Sequence, residues 1–289
     1  MSTQISDSFT GLDRYVVIGN PISHSKSPEI HTRFAAETEQ NVDYARLLVS
    51  LDGFAAAVQD FVRHGGKGAN VTLPFKLEAY ALATTLTARA LAAGAVNTLS
   101  FKNGEIFGDN TDGVGLVTDI VRNAGINIAG KRILLLGAGG AARGGLLPLM
   151  QAKPAQLVLA NRTVANAAAL AQQFAQKFPD EGNITVSNVV DVEGQFDLVI
   201  NATSASLQAD VPSISPSIFG PQTLAYDMMY GKQSTVFMQF ASEYGAMVRD
   251  GLGMLVEQAA ESFYVWRAVR APTDNVYTAL RAALNFPGE

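Results

Sequence analysis

The stretch Arg132-Ile-Leu-Leu-Leu-Gly-Ala-Gly-Gly-Ala-Ala-Arg143 decides the fold. Ile133 to Leu136 is an unbroken apolar run, the pattern of a parallel strand buried on both faces. It meets Gly137-x-Gly139-x-x-Ala142, and a helical pattern follows from Ala141 to about Gln151. A strand before and a helix after are the context in which G-x-G-x-x-G/A takes a dinucleotide. Gly137 permits the tight turn, Gly139 lets the backbone approach a pyrophosphate, and Ala142 is small enough for the helix to pack on the strand. At the helix start, Gly140 and Ala141 offer backbone N–H groups and the positive end of the helix dipole to phosphates.

Gln156 to Ala160 is the second strand of this unit. An NAD-binding unit carries an acidic residue at the end of that strand, on the ribose 2′-OH. Asn161-Arg162-Thr163 stands there instead. An arginine suits a 2′-phosphate, so the cofactor reads as NADP. The plainer alternative is an arginine that only begins a helix. Two further strand–loop segments, 196–201 and 222–227, extend the unit. The fold class is therefore α/β, with a Rossmann-type doubly wound nucleotide domain.

The preceding residues supply a different set of signals. Residues 14–19 form a strand that ends at Gly19-Asn20-Pro21. Ser27 before Pro28 reads as an N-cap followed by proline at the first helical position, with a helix to about Thr38. Ser25 and Ser27 admit two readings: they terminate a strand and start a helix, or they cradle a carboxylate at a helix N-terminus. Local chemistry favours the first. A strand over 42–49, a helix over 54–64 and a strand over 69–71 follow, with Pro74 closing the last. Lys76 thus lies just past a strand's carboxyl end, where α/β sheets place ligands. A lone lysine is nevertheless most often a solvated charge.

Short helices are expected over 77–82 and 87–92. Extended runs at 97–101 and 106–107 flank Asn103-Gly104, the strongest short hairpin signal. Asp112 is placed to cap a helix over 114–124, which Gly125 closes. Helical runs at 254–269 and 275–284 lie beyond the nucleotide unit and are expected to cross back over the first half.

A chain of 289 residues accommodates two domains. The net charge of −5, without a Lys/Arg cluster, argues against nucleic-acid binding. There is no cysteine, which excludes disulfides, thiolate nucleophiles and cysteine-based zinc sites, and no metal is expected. The first residues, Met1 to Ser8, are polar and carry no signal-peptide core. No apolar run approaches the ~18 residues needed to span a bilayer. These observations predict a soluble cytoplasmic protein with neither nucleic acid nor membrane as partner; a small-molecule substrate is expected, and the sequence leaves monomer or homodimer open.

Several blocks in fixed order carry a resemblance: Gly-Asn-Pro-Ile-x-His-Ser-x-Ser-Pro (19–28), Asn-Val-Thr-x-Pro-Phe-Lys (70–76) and Ala-Gly-Ala-Val-Asn-Thr (93–98). Gly-Asp-Asn-Thr-Asp-Gly (108–113), the glycine turn (137–143), Asn-Arg-Thr (161–163) and Asp-Gly-Leu-Gly-Met-Leu-Val-x-Gln (250–258) complete them. Together they resemble the shikimate dehydrogenase family of NADP-dependent enzymes. The resemblance implies reversible NADPH-dependent reduction of 3-dehydroshikimate to shikimate in aromatic biosynthesis. It implies an α/β substrate domain of residues 1–113 plus 253–289, and a nucleotide domain of 114–252, with the substrate in the cleft between them.

By the same resemblance Lys76 and Asp112 are the catalytic pair. Ser25 and Ser27 hold the carboxylate, which reverses the local preference, with Tyr230 nearby. Thr72, Asn97 and Gln258 fix the ring hydroxyls. Gly137, Gly139, Gly140, Ala141 and Arg143 address the phosphates, and Asn161, Arg162 and Thr163 the 2′-phosphate. One departure is Asn166, which stands where the family often has a second arginine. Two rivals remain: an NAD-dependent quinate/shikimate dehydrogenase, and a catalytically silent NADP-binding sensor.

Overall fold

The computed structural model describes residues 11–203 and 212–285, so the polar stretch Met1–Ser8 lies outside the described residues. The chain first lays down β1 (Asp13–Gly19), α1 (Ser27–Glu37), β2 (Val42–Leu48), α2 (Phe54–Arg63) and β3 (Gly68–Val71). It continues through α3 (Lys76–Leu82), β4 (Thr85–Leu86), α4 (Ala88–Ala93), β5 (Thr98–Lys102) and β6 (Glu105–Asp109). These strands form one six-stranded sheet in the order β2-β1-β3-β5-β6-β4. β2, β1 and β3 run parallel, β5 and β6 turn back antiparallel, and β4 lies parallel to β6. Asn103 and Gly104 both take positive φ, 54° and 79°, which gives the β5–β6 hairpin a connection whose twist matches its strands.

The second half begins with α5 (Asp112–Thr118), β7 (Arg132–Leu136), α6 (Gly140–Gln151), β8 (Gln156–Asn161), α7 (Val164–Lys177) and β9 (Ile184–Asn188). It ends with β10 (Leu198–Asn201), β11 (Leu224–Asp227), α8 (Val236–Glu243), β12 (Met247–Asp250), α9 (Leu252–Arg267) and α10 (Asp274–Asn285). The second sheet is parallel throughout, in the order β12-β11-β10-β7-β8-β9, the doubly wound arrangement. β7 is its centre. Ile133 and Leu135 enter one core and Leu134 and Leu136 the other, so the apolar run is buried on both faces.

α9 and α10 return to the first sheet. Leu252, Val256 and Phe263 pack with Ile30 and Phe34 of α1. α5 is wedged between α6 and α9, and two glycines make that possible. A Cβ on Gly113 would stand 2.2 Å from the Gly144 carbonyl oxygen, and one on Gly115 would stand 2.6 Å from the Gln258 nitrogen. Among the described residues, no helix is long and apolar enough to cross a membrane.

The structure corrects several local expectations. Ser27 is the first residue of α1 rather than its cap; Lys26 holds that position without a side-chain hydrogen bond, because the chain already turns helical there. Asp112 does not cap α5 either, since Thr111 is the N-cap residue and the Asp112 carboxylate is engaged elsewhere. The helix expected over 114–124 changes to a π turn at Asp119–Asn123, where the buried Asp119 carboxylate takes both Arg249 and the Tyr226 hydroxyl. β9 and β12, at the sheet's edges, are short and half-polar and gave no sequence signal.

Candidate active site

The carboxyl ends of β1 and β3 and the amino end of α6 face a cleft of about 1120 Å³. Ser25, Ser27, Thr72, Lys76, Asn97, Asp112, Tyr230 and Gln258 all line it, with Gly139, Gly140, Ala141 and Arg143 on the opposite wall. Gly137, Asn161, Arg162 and Thr163 lie outside this lining.

Lys76 opens α3 because Pro74 stops β3 and the chain turns at once into helix. Its Nζ donates to Asp112 Oδ2 at 2.6 Å, with 29% of the lysine side chain exposed against 10% of the aspartate. The other oxygen, Oδ1, accepts from Asn97 Nδ2 at 2.8 Å. Asn97 is itself fixed: its Nδ2 also reaches Thr111 Oγ1 at 2.9 Å and Gln258 Oε1 at 3.3 Å. Its Oδ1 accepts from the Thr111 N–H at 2.9 Å and the Thr98 hydroxyl at 2.8 Å. A half-buried ion pair thus stands in a polar frame whose partners come from β5, α5 and α9.

Sequence reasoning passed over Asn70, although it stands in the quoted 70–76 block. Its Nδ2 donates to the Asn97 carbonyl oxygen at 3.2 Å and to the Ser262 hydroxyl at 3.0 Å, and its Oδ1 accepts from Tyr44 at 2.7 Å. It lines the cleft from the middle of β3. Its position two residues before Thr72, which directly follows β3, was the available signal, since alternate residues of an extended run share a face. Asn110 was missed too; its side-chain oxygen accepts from the Asp112 N–H at 3.2 Å.

Behind Asn70 lies His31, fully buried and stacked on Tyr44 with ring centroids 4.3 Å apart. Neither ring nitrogen has a hydrogen-bond partner among the described residues. Burial pushes its pKa down to about 3. Tyr44 is raised well above the usual tyrosine range, again by burial. Tyr230 is raised by burial and then by the negative charge of Asp250.

At the entry to α1, the Ser25 hydroxyl donates to Ser27 Oγ at 3.2 Å and accepts the Ser27 N–H at 3.3 Å. Two hydroxyls therefore converge on the cleft next to an uncapped helix start.

The opposite wall fits a dinucleotide by its emptiness. α6 has no side-chain cap, and a Cβ placed on Gly139 or Gly140 would meet nothing within 4 Å. Gly137 holds φ at 105°, and its N–H donates to the Ala160 carbonyl, which sets the glycine turn against the end of β8. Asn161 Nδ2 donates to the Thr163 carbonyl at 2.9 Å and shapes the loop that carries Arg162. Arg162 is exposed. Arg143 donates to Gln173 Oε1 at 2.8 Å from the cleft's edge.

Three family models match the chain. The shikimate dehydrogenase substrate binding domain matches residues 17–99, shikimate / quinate 5-dehydrogenase matches 119–209, and the shikimate 5′-dehydrogenase C-terminal domain matches 251–281. A shikimate dehydrogenase (NADP(+)) of Herminiimonas arsenicoxydans is 65% identical, covering 95% of this chain and 99% of its own. An Ael1 enzyme from Pseudomonas putida superimposes with a TM-score of 0.88 at 48% identity, over 93% of this chain and 98% of that one. A Thermus thermophilus shikimate 5-dehydrogenase, solved with NADP(H) and shikimate, does so with a TM-score of 0.82 at 30% identity, over 94% and 100%. With identity at this level over almost the full length, this chain belongs to the shikimate dehydrogenase family.

Proposed function

We propose that this protein catalyses the reversible NADPH-dependent reduction of 3-dehydroshikimate to shikimate, with Lys76 and Asp112 as its catalytic pair. The observation that carries this reading is the Lys76–Asp112 contact at 2.6 Å, facing an uncapped helix start across one cleft. Residues 1–113 with 253–289 form the substrate unit and 114–252 the nucleotide unit. The two separate sheets, and the return of α9 onto α1, support that division. The absence of cysteine and of a membrane-crossing helix among the described residues is compatible with work in the cytoplasm.

NADPH, when bound, supplies a hydride to the C3 carbonyl carbon. Negative charge then grows on the carbonyl oxygen, and the Lys76 ammonium stabilises it and donates a proton. Lysine is left neutral and regains its proton from cleft water; in the reverse direction it removes the hydroxyl proton. Asp112 aims Lys76 through Oδ2 while Asn97 holds Oδ1, so the ammonium is oriented before the substrate arrives. Ser25 and Ser27 bind the substrate carboxylate beside Tyr230. Thr72, Asn97 and Gln258 receive the ring hydroxyls. Gly137, Gly139, Gly140, Ala141 and Arg143 hold the cofactor's diphosphate. Asn161, Arg162 and Thr163 hold its 2′-phosphate.

The test is a matrix of substrates and cofactors followed at the NADPH absorbance band. Shikimate with NADP is expected to give the highest kcat/KM among shikimate and quinate offered with NADP and NAD. Faster turnover of quinate with NAD would favour the quinate reading, and no turnover in any combination would favour a silent sensor.

A further inference from the structure

Asp250, the first residue of the 250–258 block, ends β12 in a buried position and does not line the cleft. Its Oδ1 accepts the Leu252 N–H at 3.3 Å, at the start of α9, and Arg281 Nη2 of α10 at 2.5 Å. The same guanidinium reaches from Nη1 to the Gly231 carbonyl oxygen at 3.4 Å. Tyr277, one turn earlier on α10, flanks it with its ring centroid 5.6 Å away. One arginine thus ties the end of β12 to the segment 228–231 that follows β11. That segment has little room to shift. The Gly251 N–H donates to the Met229 carbonyl at 3.0 Å, and a Cβ on Gly251 would stand 2.1 Å from the Met228 carbonyl oxygen. Tyr230 sits between these anchors. It packs against the core formed by α1, α9 and α10, and it lines the cleft together with Ser25 and Ser27.

We propose that Arg281 is a positioning residue for the substrate carboxylate. By holding Asp250 and the Gly231 carbonyl together it fixes the segment 228–231, and with it the Tyr230 hydroxyl at the carboxylate end of the cleft. This rests on the reading of Tyr230 as a neighbour of that carboxylate. Arg281 does not itself line the cleft, so its effect passes through Tyr230. An arginine suits the task because its planar fork serves two acceptors at once, which the point charge of a lysine does not. With 28% of its side chain exposed against 10% of Asp250, the pair is sheltered enough to hold one geometry.

The experiment measures kcat and KM for shikimate oxidation at saturating NADP in the whole protein. The variants are Arg281→Met, Arg281→Lys, Tyr230→Phe and the Tyr230→Phe/Arg281→Met double variant. Tyr230→Phe removes a hydrogen bond to a charged group and is expected to raise the shikimate KM roughly tenfold. Arg281→Met acts only through that bond, so it is expected to raise the same KM roughly three- to tenfold, with kcat and the KM for NADP within about twofold of the parent. In the Tyr230→Phe background the same change is expected to add no more than about twofold, a non-additivity that a general loss of stability does not produce. Arg281→Lys keeps the charge beside Asp250, and hence the fold, but holds one acceptor at a time; its KM should fall between those of the parent and Arg281→Met. An unchanged KM in every Arg281 variant that folds overturns the proposal, as does an Arg281→Met effect undiminished in the Tyr230→Phe background. An unchanged KM in Tyr230→Phe overturns it from the other side, because the carboxylate reading of Tyr230 has then failed.

Discussion

The two walls of the cleft are built on opposite plans. On the side of β3, β5 and α9 the polar groups are already committed to each other. Lys76 holds Asp112, Asp112 holds Asn97, and Asn97 is tied to Thr98, Thr111 and Gln258. On the α6 side the wall is backbone: an uncapped helix start and two glycines with open space before them. The first wall has its charges positioned in advance, the arrangement that stabilises charge developing in a transition state. The second offers dipole and room, which a phosphate completes on arrival. Changes to the first wall should therefore alter chemistry, and changes to the second should alter binding and selectivity.

Lys76→Ala is the most severe way to break this contrast. Removing the proposed proton donor is expected to lower kcat by roughly 10²–10⁴-fold with the Michaelis constant little changed, because on that reading its main interaction strengthens only in the transition state. Near-normal turnover with a raised Michaelis constant would reduce Lys76 to a binding residue. Asp112→Asn keeps the shape but turns a carboxylate oxygen into an amide donor facing the ammonium, so kcat should fall here as well. Since Asp112 is not the cap of α5, its melting temperature should change little. A large drop in melting temperature with intact turnover would contradict the assignment.

His31 tests whether the first wall is held from behind. It is stacked on Tyr44, whose hydroxyl fixes Asn70. Its pKa is lowered from 6.5 to about 3 by burial. The neutral form is thus the native one, and the unfolded chain binds the extra proton first. The stability it contributes is complete above pH 6.5 and is lost as pH falls toward 3, by up to about 1.4 kcal/mol per pH unit. His31→Phe removes that titration and keeps a ring of similar size. Its unfolding free energy should vary less between pH 7 and pH 4.5 than that of the parent, as measured by urea denaturation at each pH. Equal slopes for the two proteins would show that His31 does not govern acid sensitivity.

The second wall was the more legible of the two in the sequence. A strand–turn–helix signal is local: Leu136, Gly137 and Ala142 are neighbours in the chain, and their spacing alone specifies the turn. The first wall is assembled from distant pieces. Asn70 meets Ser262 across 192 positions, and Asn97 meets Gln258 across 161. No periodicity announces such pairs. Local rules even misdirected the reading at Asp112, because a residue with good capping chemistry at a helix start was drawn instead to a lysine 36 positions away. The π turn at Asp119 was illegible for the same reason, since it depends on Tyr226 and Arg249, 107 and 130 positions further along the chain.

The smallest expected effect sharpens the second wall. Arg162 stands exposed at the end of β8, and Asn166 lies in the first turn of α7, close enough in sequence to face the same phosphate. On the proposed reading a 2′-phosphate there gains Arg162, the Thr163 hydroxyl and the amino end of α7. NADP should accordingly be preferred over NAD, and Arg162→Ala should abolish most of that preference. Asn166→Arg adds a second cation one turn along the helix. A charge-assisted contact is worth roughly ten- to hundredfold in full burial, but solvent and salt screen a groove-edge phosphate, so a gain of about tenfold or less is expected. The measurement is the ratio of kcat/KM for NADP and NAD in the parent and both variants, at low and high salt. An electrostatic origin requires the Asn166→Arg gain to shrink at high salt while kcat stays constant. If kcat moves instead, the nucleotide wall takes part in the chemistry and the contrast between the two walls fails.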